Sequence, residues 1–153
     1  MKKIILLTGI ILSFQVKSQN CDIQKTADKF DGSITYKAEF AKWACFSKVI
    51  KGSDTTYYAY FSTEGTTANY YKKGVIILLS NGSKIEKPNA EVDCKFRAGV
   101  MYDYTSFFTL TKDDMKILST NRITDWRLYV TERGLGEKRG EKLKETLICL
   151  IKS

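Results

Sequence analysis

Few groups in this chain could do chemistry. Glu91 and Asp93 stand two residues apart in a segment that alternates polar and apolar side chains, so both carboxylates fall on one strand face. Paired carboxylates on one face suit general acid/base work, glycoside hydrolysis above all. Lys95 and Arg97 continue the same face, and such a mixed row reads as a solvated, salt-bridged surface. The chain has no histidine. That removes the Ser-His-Asp and Cys-His arrangements, His-dependent zinc sites and a His general base. No Ser-x-x-Lys motif and no Gly-rich phosphate loop occurs. Asn81-Gly82-Ser83 matches a glycosylation sequon but is read as turn chemistry. The sequence therefore names no catalytic, cofactor-binding or metal-ligating residue, and it weighs against an enzyme.

Aromatic side chains are the next candidates. Tyr57, Tyr58, Tyr60, Phe61, Tyr70 and Tyr71 cluster in strand-like sequence, where such residues mostly build the core and cross-strand pairs. Phe107 and Tyr129 point away from the core side of their strands on the expected phase. Tyr58, Phe107 and Tyr129 are thus the candidate contact aromatics, unless a second layer covers the sheet.

Four cysteines, Cys21, Cys45, Cys94 and Cys149, are widely spaced with no Cys-x-x-Cys, which argues against zinc knuckles and thioredoxin-type redox chemistry. An even number in an exported protein predicts two disulfides. Cys149 falls on the polar side of the last helix with Glu141, Glu145 and Lys152, and Cys21 is its natural partner. That bridge would tie the two ends of the domain together. Cys45 and Cys94 take core-facing strand positions, where they form the second bridge or stay as two inert buried thiols. A rival role for Cys21 is acylation as a lipoprotein anchor. Asn20 fits it badly, because a Gly or Ala is expected there, and three cysteines would remain.

The compartment follows from the first 18 residues. Lys2 and Lys3 precede an apolar run, Ile4 to Leu12, and Val16 and Ser18 suit a small-residue cleavage site. This is the layout of a secretory signal peptide, too short for a permanent span. The expected address is the periplasm or the cell exterior, with lipid anchoring at Cys21 as the alternative and the only expected membrane contact. Removing residues 1–18 from the 153 leaves 135, enough for one domain with its own core. Subtracting the leader's three lysines from 25 basic residues leaves 22 against 17 acidic ones, a net +5. That charge keeps a small domain soluble and would also favour anionic envelope polymers. No run of five basic residues occurs, so nucleic acid is not an expected partner.

One proline, Pro88, and no linker or repeat imply a single domain over residues 19–153. From about Ser33 to Phe96 the chain reads as strands. Trp43, Cys45 and Val49 share one predicted face, and Val75 to Leu79 is apolar on both faces, as a central strand would be. Asn81-Gly82 predicts a type I′ hairpin turn within 75–86. Val92, Cys94 and Phe96 alternate against charged neighbours, and Tyr104, Phe108 and Leu110 line the inner face of a strand over 103–110. Thr111 and Asp114 have capping-box spacing, with Leu110 and Met115 at the staple positions, which starts a helix to about Thr120. Residues 123–131 return as a strand with Trp126, Leu128 and Val130 inward. A last helix begins near Gly140 with a stripe of Leu143, Leu147, Leu150 and Ile151. Strands first and helices late predict an α+β fold, an antiparallel sheet of about six to eight strands packed against one or two late helices.

Three segments, 74–82, 110–115 and 123–129, followed by the helix that contains Cys149, resemble small exported uncharacterised proteins of Bacteroidetes-type bacteria. The resemblance spans about half the chain and implies an exported domain with no assigned active site. The expectation is a non-enzymatic exported domain that binds a protein partner or a cell-envelope component. The alternatives are a small glycan- or peptidoglycan-active binding protein or hydrolase, and a structural module of an envelope assembly. No cofactor is expected, and the ligand and oligomeric state are not legible in the sequence.

Overall fold

A computed structural model describes residues 22–153. Along the chain lie β1 (Ile23–Ala27), β2 (Ile34–Ala41), β3 (Ala44–Lys51), β4 (Asp54–Gly65), β5 (Lys72–Leu79), β6 (Lys84–Phe96) and β7 (Tyr102–Leu110). Then follow α1 (Lys112–Thr120), β8 (Ile123–Leu128), β9 (Thr131–Gly134) and α2 (Glu137–Lys152). The strands form one antiparallel sheet in the order β1-β2-β3-β4-β7-β6-β5-β8-β9. The fold is α+β, as the pattern predicts, but the described strands number nine rather than six to eight. β1 precedes the first strand-like stretch in the sequence, and residues 123–131 split into β8 and the start of β9.

The sheet curls into a half-barrel. β8 and β9 lie four or more positions from β4 in the strand order, yet they close over it. The Trp126 indole donates to the Ser62 carbonyl at 3.2 Å, and its ring lies 4.9 Å from that of Phe61. The Thr63 and Thr131 hydroxyls meet at 2.5 Å. Trp126, Phe61, Phe46, Tyr104, Ile77 and Leu128 are fully buried within the curl. Leu143, Leu147 and Leu150 of α2 and Leu118 of α1 complete that core. Dense Tyr, Phe and Thr suit β4 and β7 to a pleated, half-buried surface.

The helices follow their local codes. Thr111 caps α1: its hydroxyl accepts from the Asp114 amide, and the Asp114 carboxylate accepts from the Thr111 amide at 2.7 Å. Asp114 is also ion-paired with Lys87 of β6, both largely buried. Burial alone would raise this carboxyl, but the Lys87 ammonium and the Thr111 donors together hold it below its ordinary 3.8. α2 starts at Glu137, three residues earlier than expected. At Gly140 it passes so close to β8 that a Cβ would overlap the Ile123 carbonyl oxygen. Cys149 is buried rather than on a polar side of α2, which contacts α1, β2, β3 and β8. Ile151, counted in the stripe, is exposed.

Three strand readings are corrected. The 80–83 turn is not type I′: only Gly82 takes a positive φ (82°), while its amide donates to the Leu79 carbonyl at 2.9 Å and Asn81 accepts from the Ser83 amide. That is a type I turn followed by a left-handed glycine. Val130 is exposed in the β8–β9 turn rather than inward. β5 is interior to the sheet but not apolar-covered on both sides: Val75, Ile77 and Leu79 are buried, whereas Leu78 is exposed on the outer face.

Two stability outcomes follow. Gly140→Ala gains about 1 kcal/mol of helix propensity but meets backbone, so chemical denaturation should register a net loss of about 1–2 kcal/mol. A gain would mean that α2 can shift off β8. Asp114→Asn keeps the shape of the cap but strands Lys87, and should cost about 1–3 kcal/mol at neutral pH. Because the folded carboxyl titrates below 3.8, its contribution is complete well above that pH and lost as pH falls through the folded value. The gap between Asp114→Asn and the parent should therefore close on acidification, and a constant gap would assign the effect to packing.

Candidate functional site

Both helices pack against the inner side of the sheet, and over β2, β3, β4 and β7 the outer side carries a groove. The register writes its floor in rows. Glu39, Cys45, Tyr60 and Phe107 align across the four strands, and Lys37, Ser47, Tyr58 and Thr109 form the next row. Rows on one face are about 7 Å apart, within reach of aromatic side chains on the diagonal. The Tyr58 and Phe107 rings use that reach and stack in parallel at 4.9 Å with 13° between planes. The groove holds about 570 Å³ and is lined by Lys37, Glu39, Cys45, Tyr60 and Phe107, among others. Phe107 is 59% exposed in mid-strand, with the Tyr58 ring as its stacking partner.

One wall of the groove is charged. Lys37 and Glu39 pair at 2.5 Å, and the hydrogen bond the ammonium donates to the Glu39 carboxylate raises the lysine above its ordinary value. The Cys45 thiol is also raised: burial dominates, Lys37 pulls against it, and Glu39 adds a smaller push upward. It is a protonated, shielded thiol at neutral pH rather than a nucleophile. Among the described residues no three His, Cys, Asp or Glu side chains gather as a metal site requires.

The structure brings together two of the three candidate aromatics. Tyr58 and Phe107 form the stack, and Tyr60 joins them. Tyr129 lies three strands from β7, in the β8–β9 turn, with φ 56° and the Lys72 ammonium 5.5 Å from its ring centre. Glu91 and Asp93 are on the outer face of β6, beyond β7 from the groove, beside Tyr70, Tyr71 and Lys73. The ion pairs at that part of the sheet run instead through Arg97, which binds Asp103 and Glu64. Tyr60 could have been found from the period of two that it shares with Tyr58. Lys37 and Glu39 have no such signal, since only pairing brings β2 beside β3.

Cys45 and Cys94 are buried free thiols and do not form the second bridge. They sit on strands three positions apart, about 14 Å, far beyond the reach of a disulfide. They also face opposite sides. Phe46, next to Cys45, is the residue that enters the core, where it meets Phe61 at 6.1 Å; Cys94 lies on that core side and Cys45 on the groove side. Trp43, grouped with Cys45 by its spacing, is in the β2–β3 turn and folds inward over Trp126. Cys21 lies outside the described residues.

No known protein family, curated protein or solved structure matches this chain.

The raised, shielded Cys45 gives a kinetic expectation. In the folded protein at neutral pH, iodoacetamide should label Cys45 at least about tenfold more slowly than an unhindered thiol. Fast labelling would mean that the groove opens to its floor.

Proposed function

We propose that this is an exported, non-enzymatic binding domain that holds a protein partner or cell-envelope component on the outer face of β2-β3-β4-β7. The observation that carries the reading is the Tyr58–Phe107 stack, with an exposed mid-strand phenylalanine above an apolar groove and a charged Lys37–Glu39 wall. Contact hot spots have this composition, an aromatic anchor beside polar groups. The glycan-binding reading draws on the same rings, since a flat aromatic pair offers a surface to the apolar face of a sugar. The resemblance to small exported proteins and the leader-like residues 1–18 support the address. With Cys45 and Cys94 assigned as thiols, a single Cys21–Cys149 bridge completes the cysteine scheme; alkylation in denaturant without reductant then marks two thiols, and marking of four would remove the bridge.

The test is binding of the isolated protein to purified peptidoglycan sacculi and to solubilised envelope proteins. Phe107→Ser should cut binding to one of the two at least about tenfold, while Leu78→Ser, on the outer face of β5, should not. Equal binding by Phe107→Ser and the parent would overturn the assignment of the groove. Turnover of labelled glycan that is lost on changing Glu91 or Asp93 would overturn the non-enzymatic reading.

A further inference from the structure

A fully antiparallel sheet sends its connections alternately to two ends. One end collects the β2–β3 turn, the β4–β5 connection, the β6–β7 hairpin and the β8–β9 turn. The β4–β5 connection passes over the ends of β7 and β6, so the last three tips adjoin one another. They carry Tyr70, Tyr71, Phe96, Val100, Tyr129 and Val130, all exposed. The other large exposed apolar side chains are scattered over the outer face, the helices and the far end.

Backbone conformation singles out the same end. Tyr71 (φ 57°) and Tyr129 (φ 56°) are the two non-glycine residues with positive φ among the described residues. A bulky side chain there costs on the order of 1 kcal/mol or more. The opposite end places Gly32, Gly52 and Gly82 at its left-handed turn positions, where glycine is free of that cost. At this end Gly99 (φ 63°) serves the β6–β7 hairpin in the same way, but the β4–β5 and β8–β9 connections place tyrosines in left-handed backbone, one fully exposed and one held by its neighbours: the Tyr129 amide donates to the Gly74 carbonyl at 2.9 Å, and the Lys72 ammonium lies 5.5 Å from its ring centre. A fold optimised for turn stability alone would not choose them.

Charge and connectivity complete the picture. Lys42, Lys72, Lys73 and Lys95 lie at or near this end with no ion pair among the described residues, whereas Arg97, Arg127 and Arg133 are matched by Asp103, Glu132 and Glu64. Glu91 and Asp93 sit further down β6, with Lys73 opposite Glu91 in the register. β1 enters the sheet here too, because Ile23 pairs with Ala38 near the end of β2.

We infer that this rim is a membrane-interface surface that seats the domain on an anionic bilayer. The tyrosines present an apolar ring and a polar hydroxyl, which suits the headgroup level. Val100, Val130 and Phe96 reach towards the acyl boundary, and the unpaired lysines face lipid phosphates. The rim does not span, since no described helix is long and apolar enough to cross a membrane. Rings and lysines act together here, apolar contact adding to electrostatic attraction.

The experiment is sedimentation of the isolated protein with phosphatidylethanolamine vesicles, with and without phosphatidylglycerol. The expected result is binding that requires phosphatidylglycerol and weakens with salt. The triple variant Tyr71→Ser, Val100→Ser, Val130→Ser should bind at least about tenfold less, while Leu78→Ser, on the outer face of β5, should bind as the parent does. Equal binding by the triple variant, or no binding by the parent, overturns the inference. Should the triple variant fold poorly, Val100→Trp decides: quenching of its added emission by lipids brominated in the acyl chains supports the rim, and unquenched emission overturns it.

Discussion

The contact on which the rest of the structure depends is the closure of β8 and β9 over β4 by Trp126. Its ring packs on Phe61 and its N–H satisfies the Ser62 carbonyl, so one side chain buries a large apolar area and leaves no orphaned donor. The Thr63–Thr131 hydroxyl pair repeats the closure one step along. A sheet of nine strands would otherwise twist open and offer two wet faces. Curling gives it one inside, which α1 and α2 fill, and one outside, which they do not reach.

Both candidate surfaces are consequences of that closure. Because the helices are committed to the inside, the outer rows of β2, β3, β4 and β7 carry the groove with Tyr58, Tyr60 and Phe107. Because every pairing is antiparallel, four connections gather at one end. Tyr104 stiffens that end from within: its hydroxyl donates to the Thr67 carbonyl and accepts from the Asn69 amide at 2.9 Å, anchoring the β4–β5 connection to β7. A scaffold that carries its contact residues on loops and an exposed face is the usual division of labour in binding domains.

The two surfaces differ in how they spend stability. The groove leaves Phe107 outside with only a stacking partner, forgoing roughly 1.5–3 kcal/mol that full burial of such a ring would contribute. The rim holds two tyrosines in left-handed backbone, a strain the surrounding turns must over-determine. Helix α1 does the reverse. Its capping box and the Lys87–Asp114 pair satisfy every charge they bury, and the segment has no cost left to explain by function.

Local codes were legible in the sequence: the Thr111–Asp114 box, the alternation of Tyr104, Phe108 and Leu110, the Leu143–Leu147–Leu150 stripe, the exposure of Phe107, and the α+β class. Each depends on residues within a few positions of one another, where spacing alone decides geometry. Alternation fixes which residues share a face but not which face is buried, so Cys45 was placed inward while its neighbour Phe46 took that place. Strand order is likewise non-local. Only the tertiary structure put Lys37 and Glu39 beside Cys45, set Cys45 and Cys94 on opposite sides of three strand spacings, and buried Cys149. These outcomes turn on which distant segments pair and how the sheet curls. The free energy that selects them is the burial of Trp126 and its neighbours, a property of the assembled core rather than of any one stretch of chain.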